Sequence, residues 1–221
     1  MITIGPDTFV VFDLDDTLYE EDQYHDSGLN AVASFVLQVY GKDVSAQLAA
    51  WKRDEISDLW GRLSSELRIA PVAKEAFLWT YRLHRPAIRL TRETSATFER
   101  VAKACAGVAI LTDGRSATQR LKLAALGLDG YPVYISEEWQ SEKPDHARFL
   151  EIARKFRAVR YVYVGDNPRK DFKAPNELGW LTIGVRGNRR NVHSQCVDDL
   201  PSIYHPSLWV TKFNNLCEFL C

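Results

Sequence analysis

The chain has 221 residues, with 28 Lys or Arg against 29 Asp or Glu for a formal charge of -1, and 46% hydrophobic residues. That balance excludes the basic surplus that marks a nucleic-acid or anionic-membrane partner, while the apolar share suffices for a sizeable core. No stretch approaches the roughly 18 uninterrupted apolar residues of a membrane span, and "MITIGPDTF" lacks the basic-then-apolar order of a secretion leader, so a soluble cytoplasmic protein is expected.

The first apolar run, 9–12, leads straight into Asp13, Asp15 and Asp16. Three carboxylates at the end of a buried element are unfavourable by several kcal/mol in order of magnitude unless opposite charge sits with them. Side chains alternate along an extended segment, so Asp13 and Asp15 share a side while Asp16 turns away and suits the turn itself. Thr17 offers its hydroxyl to the same turn. Residues 20–88 then carry no comparable strand. Their periodicity predicts helices over 26–40, 45–67 and 71–84, with Asp26 or Ser27, Ser45 and Pro71 as starts and Gly41 as a stop. The aromatic stretch 49–60, with Trp51 and Trp60, serves either as the core of this helical unit or as a partner face, which leaves a homodimer open.

Further on, β-rich apolar runs recur at 108–111, 133–135, 161–164, 181–185 and 208–210, separated by helical patterns such as 116–126 and 145–156. Runs that are apolar throughout mean strands covered on both faces, so the expected fold is α/β: a Rossmann-like parallel sheet with helices on both sides. The core takes residues 1–19 and 89–221, and 20–88 form a small all-α subdomain inserted after the first strand. Ligands of such sheets bind beyond the carboxyl ends of the strands. There the sequence places "DLDDT" (13–17), "TDGRS" (112–116), "SEKPD" (141–145) and "GDNPRKD" (165–171). The polar stretch 186–201, containing "RGNRRN", predicts a surface loop. Cys105, Cys196, Cys217 and Cys221 lack CxxC spacing and are expected as reduced thiols in preference to a zinc site with His193.

These motifs, in this order, resemble those of the haloacid dehalogenase (HAD) superfamily over about 9–185. "DLDDT" matches the family's DxDxT, Thr112 its second motif, Lys143 its third, and Asp166 with Asp171 its fourth. The resemblance implies a HAD-like core whose helical cap is inserted after the first motif, and a phosphate-transferring hydrolase. Asp13 is then the nucleophile, since a carboxylate that attacks phosphorus splits one hard displacement into two easier ones. Asp15 protonates the departing alkoxide and later deprotonates the hydrolytic water. A dianion approaching carboxylates needs positive charge in place, and Mg²⁺ held by Asp13, the backbone carbonyl of Asp15 and Asp166 supplies it, with Asp171 orienting that shell. Lys143 adds a fixed cation, and Thr112 with the N–H groups of Asp113 and Gly114 holds phosphate oxygens.

The expected activity is hydrolysis of a small phosphorylated metabolite, such as a sugar phosphate, a nucleotide or phosphoglycolate, with no nucleic-acid or membrane partner. A phosphomutase would share the nucleophile. A dehalogenase of this superfamily needs no proton for its leaving group, so Asp15 argues for phosphate esters. A Schiff-base phosphonatase would need a cap lysine, and Lys42, Lys52 and Lys74 are more simply surface residues. A non-catalytic regulatory descendant would be expected to lack one of the motif groups. The interval between Lys143 and Asp166 is consumed by a helix and a strand, so 20–88 is the single lid. Within it Arg82 and His84 are candidate substrate contacts, as is Arg115 beyond the phosphate-binding threonine; Glu20, Asp22 and Tyr24 are weaker ones.

Overall fold

The computed structural model describes residues 3–187, 191 and 193–221. Six parallel strands, β1 (Thr8–Phe12), β2 (Gly107–Thr112), β3 (Val133–Ile135), β4 (Arg160–Gly165), β5 (Leu181–Val185) and β6 (Leu208–Val210), form one sheet in the order β3-β2-β1-β4-β5-β6. All six coincide with the apolar runs. The reason is visible in β1, whose side chains divide between the two faces: Val10 and Phe12 enter one core with Ile110, Val164 and Ile183, while Phe9 and Val11 enter another with Leu111, Phe149 and Tyr163. A strand buried on both sides has no place for a polar alternation.

In the first excursion from the sheet, α1 (Glu21–Tyr40), α2 (Ser45–Arg53), α3 (Leu59–Glu66) and α4 (Lys74–Leu83) surround their own apolar core, centred on Val32, Val36, Leu48, Leu63 and Phe77. Trp51 is buried in that core and Trp60 packs against it, so this part of 49–60 is internal. Two boundaries differ from the periodicity. The first helix begins at Glu21 because Asp16 Oδ1 accepts from the Glu21 N–H at 2.9 Å, a cap supplied from the preceding turn. Ser27 is consequently not a cap but a buried tie, bonding His84 Nε2 at 2.9 Å and accepting from the Ala87 N–H at 2.8 Å. The helix expected over 45–67 is two, broken where Glu55 takes φ 52° and Asp58 caps the Gly61 N–H at 3.0 Å.

The remaining helices clothe the sheet. They are α5 (Arg92–Ala104), α6 (Ser116–Leu126), α7 (Ser136–Trp139), α8 (Ala147–Lys155), α9 (Pro168–Asp171) and α10 (Lys173–Glu177). Phe98 and Val101 of α5 and Leu123 of α6 cover one face; Phe149 and Ile152 of α8 cover the other. Within 186–201, Asn188, Arg189, Arg190 and Val192 lie outside the described residues, and the rest carry no named helix or strand. The four cysteines are free thiols. Among the described residues, no helix is long and apolar enough to cross a membrane.

Candidate active site

β1 lies at the middle of the sheet, between β2 and β4, where the strand order reverses. Chain leaving adjacent strands there diverges to opposite sides and opens a crevice. The Asp13 N–H continues the β1–β4 ladder by donating to Val164 O at 2.9 Å, which fixes the first acid at the mouth. A cleft of about 130 Å³ opens at this point, fronted by Asp13, Asp15, Thr112, Lys143 and Asp166. The sequence motifs therefore do converge.

Lys143 is the hub. Its Nζ donates at 2.6 Å to Asp13 Oδ1, at 2.6 Å to Asp171 Oδ1 and at 3.2 Å to the Tyr163 hydroxyl. Burial alone would lower the lysine's pKa, but Asp13 and Asp171 outweigh it and hold it well above the ordinary value. Asp171 has its oxygens engaged on both sides: Oδ1 by Lys143 and Tyr163, Oδ2 by the N–H groups of Asp166 at 3.0 Å and Asn167 at 2.7 Å. It orders the loop after β4.

Asp13, Asp166 and Asp171 bring carboxylate oxygens within 4.8 Å of one another. Burial pushes the carboxyls of Asp13 and Asp166 far up, and neighbouring acids add to this, Lys143 offsetting only part. Buried hard-oxygen donors short of positive charge are the set a divalent cation such as Mg²⁺ takes. With Asp171 saturated by donors, Asp13 and Asp166 are the side chains that fit as ligands.

The phosphate-binding expectations fall unevenly. Thr112 is buried and faces the cleft. The Gly114 N–H already donates to Ser136 Oγ at 2.9 Å, so it is not a free phosphate donor. Asp113 accepts from the Lys143 N–H at 3.2 Å and from Arg148 Nη2 at 2.5 Å, so its side chain pins the loop carrying Lys143. Burial would raise its pKa, but Lys143 and Arg148 prevail and lower it. Arg148 has 0% exposure and also donates to Thr112 O at 2.9 Å. From sequence it was only one basic residue on a helix.

Asp15 fronts the cleft with its carboxylate held from behind. Oδ1 accepts from the Tyr19 hydroxyl at 2.5 Å and Lys122 Nζ at 2.7 Å, and Oδ2 from Gln119 Nε2 at 2.9 Å. Burial opposes ionisation, yet Lys122 outweighs it and the carboxyl's pKa is lowered. Asp16, at φ 54°, both caps α1 and reaches the cleft wall. Thr17 does not hold the turn through its hydroxyl, which is buried without a hydrogen-bond partner among the described residues.

The candidate substrate contacts do not line this cleft. Arg82 lies over the Trp79 ring at 5.6 Å, and Arg115 is exposed beside Glu137 at 3.7 Å. His84 is consumed by Ser27 and by Tyr81 O at 2.6 Å. Glu21, Asn167, Lys170 and His193 stand in the cleft wall instead. Of the weaker candidates, Asp22 pairs with Lys52 at 2.5 Å and Tyr24 lies under Lys122. Gln119 and Lys122 were missed too, although they share a helical stripe with Leu123 and Leu126 and are buried with them.

Residues 10–185 match the sequence profile described as haloacid dehalogenase-like hydrolase, and the chain belongs to that family. Among characterised relatives it is 27% identical over 219 residues to a glyceraldehyde 3-phosphate phosphatase of Methanopyrus kandleri, covering 87% of this chain and 90% of that one. Solved structures share the fold. A 2-haloacid dehalogenase of Pseudomonas syringae superposes with TM-score 0.61 at 21% identity, over 99% of this chain and 98% of that one. A HAD hydrolase described as putative, YfnB of Bacillus subtilis, bound to magnesium, superposes with TM-score 0.60 at 17% identity, over 97% and 98%.

Proposed function

We propose that this protein is a Mg²⁺-dependent phosphatase of a small phosphorylated metabolite, working through an aspartyl-phosphate on Asp13. The observation that carries the reading is that Asp13, fixed by Lys143, and Asp15, two residues on, front the same cleft. Family membership and the sugar-phosphate phosphatase among its relatives support a phosphoric monoester hydrolase. The spare acid separates this chemistry from dehalogenation, because an alkoxide leaving group needs a proton and a halide does not.

In the first half-reaction an Asp13 carboxylate oxygen attacks phosphorus, the ester P–O bond breaks, and Asp15 passes to the leaving oxygen a proton that it takes up when the anionic ester binds beside it. In the second, Asp15 takes a proton from water, the water oxygen attacks phosphorus, and the P–O bond to Asp13 breaks to free inorganic phosphate. Lys143 balances the charge on Asp13 throughout, and Thr112 lies where it can donate to a phosphoryl oxygen. Asp13, Asp166 and the Asp15 carbonyl would hold Mg²⁺, which would supply charge neutralisation for the transferred group. A cleft of about 130 Å³ suits a phosphoryl group on a few carbons, and the helical unit of 21–83, which gives Glu21 to the cleft wall, is the part of the chain that would cover it.

The test is phosphate release from a panel of sugar phosphates, nucleotides and phosphoglycolate, with Mg²⁺ and after chelation. Turnover requires the metal, and Asp13→Asn lowers kcat more than about a thousand-fold while leaving the far-ultraviolet circular dichroism intact. Wild-type turnover retained by Asp13→Asn ends the proposal.

A further inference from the structure

We infer that Lys122, acting with Gln119, is the positioning residue for Asp15, and so determines how well the enzyme handles poor leaving groups. The inference rests on the proposed assignment of Asp15 as acid and base. Carboxylates on single-bonded stems rotate, and an acid must present one lone pair or proton along the line of the scissile bond. Nothing in "DLDDT" itself restrains that rotation. The restraint comes from a different element, α6, one turn of which reaches across to the turn after β1.

The geometry is specific. Lys122 Nζ and Gln119 Nε2 take different oxygens of Asp15, at 2.7 Å and 2.9 Å, so together they fix the plane of the carboxylate and not only its position. The Tyr19 hydroxyl adds a third donor at 2.5 Å. Gln119 is itself oriented by a second bond from the same Nε2 to Asp113 O at 2.7 Å, which ties the clamp to the loop that carries the phosphate-binding threonine. Lys122 is 3% exposed at its side chain, an expensive burial for a cation with no catalytic contact of its own. The groups facing it are Asp15, Glu21 at 3.7 Å and the Tyr24 ring at 4.4 Å. The last two stand on the first turn of α1, so the helical unit walls off the far side of Lys122.

A lost aim has a distinctive kinetic signature. For kcat/KM, which reports phosphoryl transfer to Asp13, an alkyl phosphate depends on protonation of its leaving oxygen, whereas p-nitrophenolate departs without it. The experiment compares glycerol phosphate with p-nitrophenyl phosphate at saturating Mg²⁺ for wild type, Lys122→Met, Gln119→Leu and Tyr19→Phe. Lys122→Met is expected to lower kcat/KM roughly a hundred-fold for the alkyl ester and only a few-fold for the aryl ester. Gln119→Leu and Tyr19→Phe move the ratio in the same direction by less, and they carry the test if the buried Lys122→Met chain does not fold. A merely structural role would scale both substrates equally through the active fraction. An unchanged alkyl-to-aryl ratio in the folded variants overturns the inference while leaving the phosphatase reading standing. Absence of hydrolysis by wild type of both esters and of every member of the panel above overturns both; where a panel sugar phosphate is cleaved, it stands as the alkyl ester.

Discussion

The two ends of the sheet make opposite use of the same strands. At the amino end a cavity of about 650 Å³ is lined by Leu150, Ala153, Val159, Leu178, Trp180 and Leu181, with Arg160 turned outward to Asp7 at 2.6 Å. At the carboxyl end the cleft has about one fifth of that volume, by 130 against 650 Å³, yet gathers acids and cations from four separate loops. Volume does not mark the site; convergence of charge does. The difference is topological. At the carboxyl end the chain departs to either side at the strand reversal, and helices α6 and α9 begin there, whereas the amino ends simply receive loops.

The contrast breaks hardest at Lys143. Lys143→Met leaves Asp13, Asp166 and Asp171 facing one another without their cation, and urea unfolding should show a loss of about 3–5 kcal/mol along with near-complete loss of turnover. Lys143→Met combined with Asp171→Asn should recover part of that stability but not the activity. Arg148→Met comes next. It strands Asp113 and the Thr112 carbonyl, with an expected cost of about 2–3 kcal/mol by the same measurement and roughly a ten-fold fall in kcat, since it acts on the cleft only through the loops it holds. The smallest effect belongs to the other end. Val159→Ser, at a residue 80% exposed on the larger cavity, should shift stability by no more than about 0.5 kcal/mol and leave kcat and KM unchanged. A large kinetic effect there would show that the amino-end cavity takes part in function.

What could be read from sequence follows from which signals are local. Both-face burial leaves apolar runs in the sequence itself, so all six strands were visible, as were Asp13, Asp15, Thr112, Lys143 and Asp166, which lie at strand ends or in the loops beside them. The break between α2 and α3 was not, because it uses neither Gly nor Pro but a left-handed Glu55 and an Asp58 cap. Lys122 and Arg148 are not singled out by the sequence because a buried charge declares itself only through the partner that tertiary structure delivers. His84 and Arg82 drew attention by sequence proximity to the connection back to the core, yet the fold spends His84 on Ser27 and Tyr81, and Arg82 on Trp79.

That use of His84 has a mechanical consequence. Tyr81 O can only accept, so His84 Nδ1 carries the proton and Nε2 receives the Ser27 hydroxyl, while Ser27 Oγ in turn accepts from the Ala87 N–H. The start of α1 and the segment returning from the helical unit are thereby joined, and the His25 ring against the Tyr81 hydroxyl at 2.5 Å and the Arg89 N–H donating to Gln23 Oε1 at 3.5 Å add further ties between them. Ser27→Ala would cut two of those ties without touching a single group in the cleft.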